Sequence, residues 1–298
     1  MNKVILSLFF VASTAILLTT TMTVHTTSGD HEFDISEITS ITFDNAQFQW
    51  CSIPAGDFTW GENDEIQTID YDYEIMKHEV TNQQYVNYLA EALLNGDITV
   101  STTTVEGYYE GDEQYAAGNY AYLNMDGSDY CRIDWTGTEF TIESEYENHP
   151  VVEVTWFGAW AFAEHYGFRL PTEQEWEKTA RGMTGFDYPW GDDLDGSRAN
   201  YWNSGDPFDN DTTPVGYYNG NNYNGFQTTD SPSPYGVYDM AGNVNDWTDS
   251  WWAPGSSGRV YRGGAWHHYS DDLESWYRNG SNSDLSQNRT GFRCAKNP

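Results

Sequence analysis

Two adjacent histidines, His267 and His268, stand in the stretch YRGGAWHHYS (261–270), just after a Gly-Gly pair and a tryptophan. Imidazoles could bind a transition metal or move protons near neutral pH. Neighbouring side chains on an extended chain point to opposite sides, so the two rings are not expected to share one metal. One of them with a nearby aspartate is the arrangement that could do chemistry. The competing reading is a loop that contacts a ligand or simply faces solvent. No Ser-His-Asp order, phosphate-binding loop or HExxH helix accompanies the pair. GDDLDG (191–196) and DNDTT (209–213) superficially suggest EF-hand loops, but both lack the remaining spacing and the terminal Glu. Cys51, Cys131 and Cys294 fit neither a zinc knuckle nor a redox CxxC motif. Being odd in number, they allow at most one internal disulfide, with the pair unassigned.

The balance of charge narrows the partners. Thirteen Lys and Arg against 46 Asp and Glu leave a formal charge of −33 on 298 residues. Such a chain repels a phosphate backbone and an anionic lipid surface, so neither nucleic acid nor membrane is expected as a partner. It suits divalent cations, Ca²⁺ above all. Thirteen Trp, 22 Tyr and 14 Phe supply a core that acidic disordered chains lack. Lys3 precedes VILSLFFVASTAILL (4–18), a run of the length of a secretory signal and short for a membrane span. Residues 1–29 are therefore assigned to a signal peptide without a defined cleavage point. An uncleaved N-terminal anchor is the alternative. Residues 30–47 read as a linker, and 48–298 as one domain of a secreted or cell-surface protein.

Three helices would position the chemistry. In VTNQQYVNYLAEALLNG (80–96), Thr81 caps, Gln84 completes a capping box, and Gly96 ends the run. In VTWFGAWAFAEHYG (154–167), Thr155 caps and Gly167 terminates. In LPTEQEWEKTARG (170–182), Thr172 and Glu175 form the box, Lys178 and Arg181 face the helix's negative end, and Gly182 stops it. Residues 97–150 are β-prone and turn-rich and predict hairpins. After residue 183 helical periodicity is almost absent. The expectation is an α+β fold with few short helices and strands and a high loop content.

Seven blocks occur in order: IPAGDFTWGE (53–62), YEIMKHEVTNQQY (73–85), HPVVEVTWFGAWAFAEHYGFRLPTEQEWEKTARG (149–182), YPWGDD (188–193), SPYGVYDMAGNVNDWTDSWW (233–252), RVYRGGAW (259–266) and TGFRCA (290–295). Together they resemble the formylglycine-generating enzyme, or sulfatase-modifying factor, family over roughly residues 48–298. The resemblance implies a divergent C-type-lectin-like fold with bound calcium. One family calcium site falls on Asp239, Gly242, Val244 and Asp246, carboxylates and carbonyls converging from a Gly-containing turn. Asp246 replaces the family's longer Glu, and Asn245 its Trp. The other site starts at Asn200 and the Tyr201 carbonyl, with Asp209, Asp206 or Asp211 as the downstream acid.

The resemblance also assigns a reactive centre, which in active members holds copper(I) on a cysteine pair. Here Ala265 takes the serine position, and His268 and Leu273 take the cysteine positions. A leucine cannot ligate a metal, so copper and the family oxidation are not expected. Arg262–Trp266 are expected as a buried anchor, with His268, Tyr269, Asp271 and Asp272 mostly exposed beyond it. HHYSDDLESWYRNGSNSDLSQNR (267–289) has the Tyr, Ser, Asp and Asn content of recognition surfaces. His267, His268, Tyr269, Asp271 and Asp272 are the candidate contacts to an extracellular peptide, protein or glycan. The function expected is a calcium-stabilised binding module. The alternatives are a diverged oxidoreductase or protein-modifying enzyme without the cysteine pair, and a structural component of a cell-surface assembly.

Overall fold

Each helix starts on the residue that caps it. The Thr81 hydroxyl accepts from the Gln84 amide at 3.2 Å, and the Gln84 side chain accepts from the Thr81 amide at 2.9 Å. Helix α1, Asn82–Asn95, follows and ends at Gly96 in the left-handed region, φ 80°. Its Tyr85, Tyr88, Leu89 and Ala92 are buried. Helix α2, Trp156–His165, is capped by Thr155; its C-cap is Tyr166, and Gly167 then turns the chain at φ 72°. Gly158 lets α2 approach the strand Gly118–Asn124, because a Cβ there would lie 2.1 Å from the Tyr122 carbonyl oxygen. Helix α3, Glu173–Arg181, has the Thr172/Glu175 capping box and carries Lys178 and Arg181 in its last turn.

The computed structural model describes residues 21–26, 29–34, 48–208 and 210–298, the first two as backbone only. Thr21–Thr26 and Gly29–Asp34 pair as an antiparallel hairpin across the end of the assigned signal segment. The apolar run 4–18 and Asp209 lie outside the described residues. Contacts divide the chain between Gln47 and Phe48. Among the described residues, no helix is long and apolar enough to cross a membrane.

Residues 97–150 do form hairpins: Ile98–Val100, Thr104–Tyr109 and Gly118–Asn124 make one antiparallel sheet, and Ile133–Trp135 pairs with Phe140–Ile142. They close over α1 and α2 around an aromatic core that includes Tyr85, Tyr109, Phe157 and Phe162. Beyond α3 the described residues hold no further α-helix, only a 3-10 turn at Ser270–Leu273. A four-stranded sheet orders this half as Arg278–Asn282, Gly258–Arg262, Asn245–Trp251 and Thr290–Gly291. The first two pairings are antiparallel and the last is parallel. A second, three-stranded sheet has Tyr73–Met76 between Trp50–Ile53 and the C-terminal Ala295–Lys296. The fold is α+β with short elements and long loops.

All three cysteines are free thiols, so the one disulfide the count allowed is not formed. Burial pushes Cys131 up to about 12 and Cys294 well above its ordinary value, which disfavours the reactive thiolate at both.

Candidate ligand loop and calcium shell

The sheet ends on a buried ion cluster that sets the reactive-centre loop. Glu177 on α3 sits between Arg262, at the end of Gly258–Arg262, and Arg181, with no solvent exposure at the glutamate or at Arg262. Arg262 also donates from Nη1 to the carbonyls of Trp276 and Tyr277 at 2.8 Å each. The chain then reverses through Gly263 and Gly264, both at positive φ. Side chains are excluded at this turn, because a Cβ on Gly264 would meet Leu273 Cδ1 at 2.7 Å and the Asp272 carbonyl at 2.8 Å. Arg262–Trp266 are buried throughout.

The three family reactive positions diverge in burial as well as type. Ala265 and Leu273 are both fully buried. Leu273 packs in a small cluster with Tyr188, Ala199 and Ala241. The loop is fastened by His268 N donating to the Ala265 carbonyl at 2.9 Å, and by the His268 carbonyl accepting from Trp202 N at 2.9 Å. Tyr269 is 69% exposed and Asp271 is exposed. His268 and Asp272, expected to be mostly exposed, are instead half-buried because the 3-10 turn at Ser270–Leu273 folds the loop back on itself.

The extended-chain expectation for the histidines also fails. The turn at Ala265–His268 puts both rings on one side, with centroids 4.8 Å apart. Trp266 continues the stack: it lies 4.7 Å from His267 and 4.9 Å from Tyr130, near-parallel to the latter. Burial lowers both imidazoles, His267 to about 4, with Arg289 adding to the effect and Asp272 opposing it. Both are therefore neutral near pH 7.

The expected calcium residues cluster around a second tight turn. Asp239, Gly242 and Asn243 all have positive φ, and a Cβ on Gly242 would lie 2.3 Å from the Asn200 carbonyl. That close approach brings Asn200, expected in one calcium site, beside Gly242, expected in the other. Asp246 Oδ2 accepts from Trp176 Nε1 at 2.8 Å and from Arg293 Nε at 2.6 Å, while its Oδ1 is buried with no partner. Asn200 Oδ1 is likewise buried and unpartnered. Glu79, which sequence reasoning left without a role, is fully buried and accepts from Asn243 Nδ2 at 2.6 Å and Val244 N at 3.2 Å. Arg293 thus faces three buried carboxylates, and burial together with their mutual repulsion raises Glu79 and Asp239, the latter to about 6. Orphaned oxygens and excess negative charge both fit a divalent cation.

The first site is less complete. Asn200 Nδ2 donates to the Asp211 carbonyl at 2.8 Å, and the Tyr201 carbonyl accepts from Ser204 N at 3.0 Å. The Asp206 side chain is taken by Ser204, Phe208 and Tyr218, and that of Asp211 by Arg132, Tyr146 and Thr212. Among the described residues no three His, Cys, Asp or Glu side chains gather as a metal cluster, so any calcium shell here draws on backbone carbonyls.

An α+β domain with a Gly-Gly turn, a loop folded over it and two sheets joined by the C-terminus defines the class of protein. Residues 42–298 match the family model for the sulfatase-modifying factor enzyme 1-like domain. The chain belongs to that family. It is 36% identical over 237 residues to the serine/threonine-protein kinase pkn1 of Chlamydia caviae, covering 74% of this chain but 32% of that protein. It is 38% identical over 153 residues to the inactive C-alpha-formylglycine-generating enzyme 2 of Mus musculus, 49% of this chain and 48% of the relative. The chain therefore spans a third to a half of these relatives. Among solved structures, CarF superposes with a TM-score of 0.57 at 21% identity, over 84% of this chain and 98% of that one, a likeness of fold.

Proposed function

We propose that this domain is a calcium-stabilised recognition module, secreted or held at the cell surface, that binds a peptide, protein or glycan through the loop His267–Asp272. The observation that carries the reading is the packing of Ala265 and Leu273. Both sit fully buried at positions where the active family needs reactive groups, and Leu273 contributes hydrocarbon where a thiolate would be required. His267, His268, Tyr269, Asp271 and Asp272 form the rim that contacts ligand. The export reading rests on residues 4–18.

Two measurements test it. Incubated with copper(I), oxygen and a cysteine-containing sulfatase-type peptide, the protein is expected to form no aldehyde above a protein-free control. Aldehyde formation would overturn the non-catalytic reading. Chelation is expected to lower the melting temperature, because an ion bound only by the folded state stabilises by about 2.7 kcal/mol at a free concentration 100 times Kd. The ligands would be Asp239, Asp246 and Asn200 with the Gly242, Val244 and Tyr201 carbonyls. An unchanged melting temperature in excess chelator, with no calcium in the purified protein, would remove calcium from the proposal.

A further inference from the structure

In a chain this acidic, the guanidiniums are claimed by carboxylates. Every other arginine lies within 3.7 Å of a carboxylate oxygen. Among the described residues Arg289 alone has none. Its backbone is held in place, with the Arg289 carbonyl accepting from Asn245 N at 2.8 Å and from Asn245 Nδ2 at 3.0 Å. Its guanidinium instead donates from Nη1 to His267 Nε2 at 3.3 Å, and its Nε is buried without a partner. Since a guanidinium only donates, His267 Nε2 is the acceptor and the ring proton sits on Nδ1. His267 Nδ1 and His268 Nδ1 are also unpartnered. Around them Trp202 and Tyr269 offer exposed ring surface, and Tyr130 stacks on the Trp266 beside His267.

We propose that the surface around Arg289 binds a ligand through a single carboxylate, with Arg289 as its counter-ion and His267 holding the guanidinium in place. This rests on the recognition reading above and names the chemistry it recognises. One uncompensated guanidinium beside neutral imidazoles balances one negative charge. A phosphate dianion or a polyanion would leave charge unmatched, next to Asp272 and on a chain of charge −33. A metal ion on the imidazole pair would face the guanidinium at close range, which disfavours it. The aromatic surface suits a ligand whose carboxylate is attached to a ring or apolar group, as at a peptide C-terminus or on an acidic sugar.

The test is calorimetric or NMR titration of the whole chain at neutral pH and low salt. N-acetyltyrosine is compared with its amide, and galacturonate with methyl galactoside. At least one carboxylate is expected to bind about tenfold or more tightly than its neutral analogue, the usual scale for a charge-assisted pair. The binder distinguishes a peptide from a sugar source. Arg289→Gln should erase the preference with the melting temperature retained, and Arg289→Lys should keep part of it. Equal binding of acid and neutral forms, a preference that survives Arg289→Gln, or no saturable carboxylate binding at millimolar concentration would each overturn the inference. So would saturable Zn²⁺ binding that is lost in His267→Ala/His268→Ala. If acid and amide bind equally and both are lost in Tyr130→Ala, the recognition reading stands and the anionic one falls.

Discussion

Glu177→Ala is expected to destabilise the domain by roughly 3–5 kcal/mol, the cost of breaking a buried ion pair by removing one partner. The glutamate neutralises two guanidiniums, Arg262 and Arg181, which have almost no solvent access. Its Oε1 also accepts from Gly61 N at 2.6 Å. After the substitution Arg262 retains carbonyls, the rings of Trp60 and Trp176 at 5.6 and 5.5 Å, and the field of Glu173, a carboxylate that already pairs with Arg278. For a domain of this size each kcal/mol moves the melting temperature by about 2–4 °C. A fall of roughly 10 °C should therefore appear in a thermal melt. A fall under about 2 °C would mean that water reaches the cluster and that its burial contributes little. The outcome bears on recognition too, since Arg262 fixes the Trp276 and Tyr277 carbonyls behind the loop.

Trp266→Ala should cost a similar amount, about 3–5 kcal/mol, through the cavity it leaves. The side chain is 5% exposed, stacks on Tyr130, and donates from Nε1 to the Asn288 carbonyl at 3.2 Å. Its backbone amide, which the substitution leaves in place, is tied to the Asn243 carbonyl at 2.8 Å and joins the loop to the proposed calcium turn. Tyr269→Ala and Asp271→Ala, a few residues further on, should stay within about 0.5 kcal/mol because both side chains project into solvent. Urea melts of the three variants check the contrast. Equal destabilisation by all three would mean that the loop is structural along its whole length.

Local chemistry was legible and long-range pairing was not. Thr81, Thr155 and Thr172 could be read as caps because capping is settled within four residues of sequence. Hairpins between 97 and 150 announced themselves through turn residues and β-branched runs. The parallel pairing of Asn245–Asp246 with Thr290–Gly291 had no local signature, since it joins segments more than forty residues apart. The histidines were misjudged for a related reason. Their expected divergence assumed extended backbone, while a turn set by Gly263, Gly264 and the packing of Leu273 brings the rings together. Arg289 was read only as part of a polar segment. What distinguishes it is the missing carboxylate, and that is a property of its neighbours in space. Glu79 was visible within a family block, but its burial against Asn243 and Val244 depends on a contact across the whole domain.

Residues 290–298 tie together both principal sheets, Thr290–Gly291 closing one and Ala295–Lys296 edging the other, while the Arg293 between them reaches Asp246. During synthesis these residues leave the ribosome after every other strand of both sheets. Until then the four-stranded sheet lacks its parallel edge and the buried acids lack their arginine, so the nascent domain cannot reach its final cooperative state. A stop codon at Thr290 should therefore do more than shorten an edge. It should yield a chain that collapses around its aromatic half yet remains protease-sensitive in the half that carries the His267–Asp272 loop.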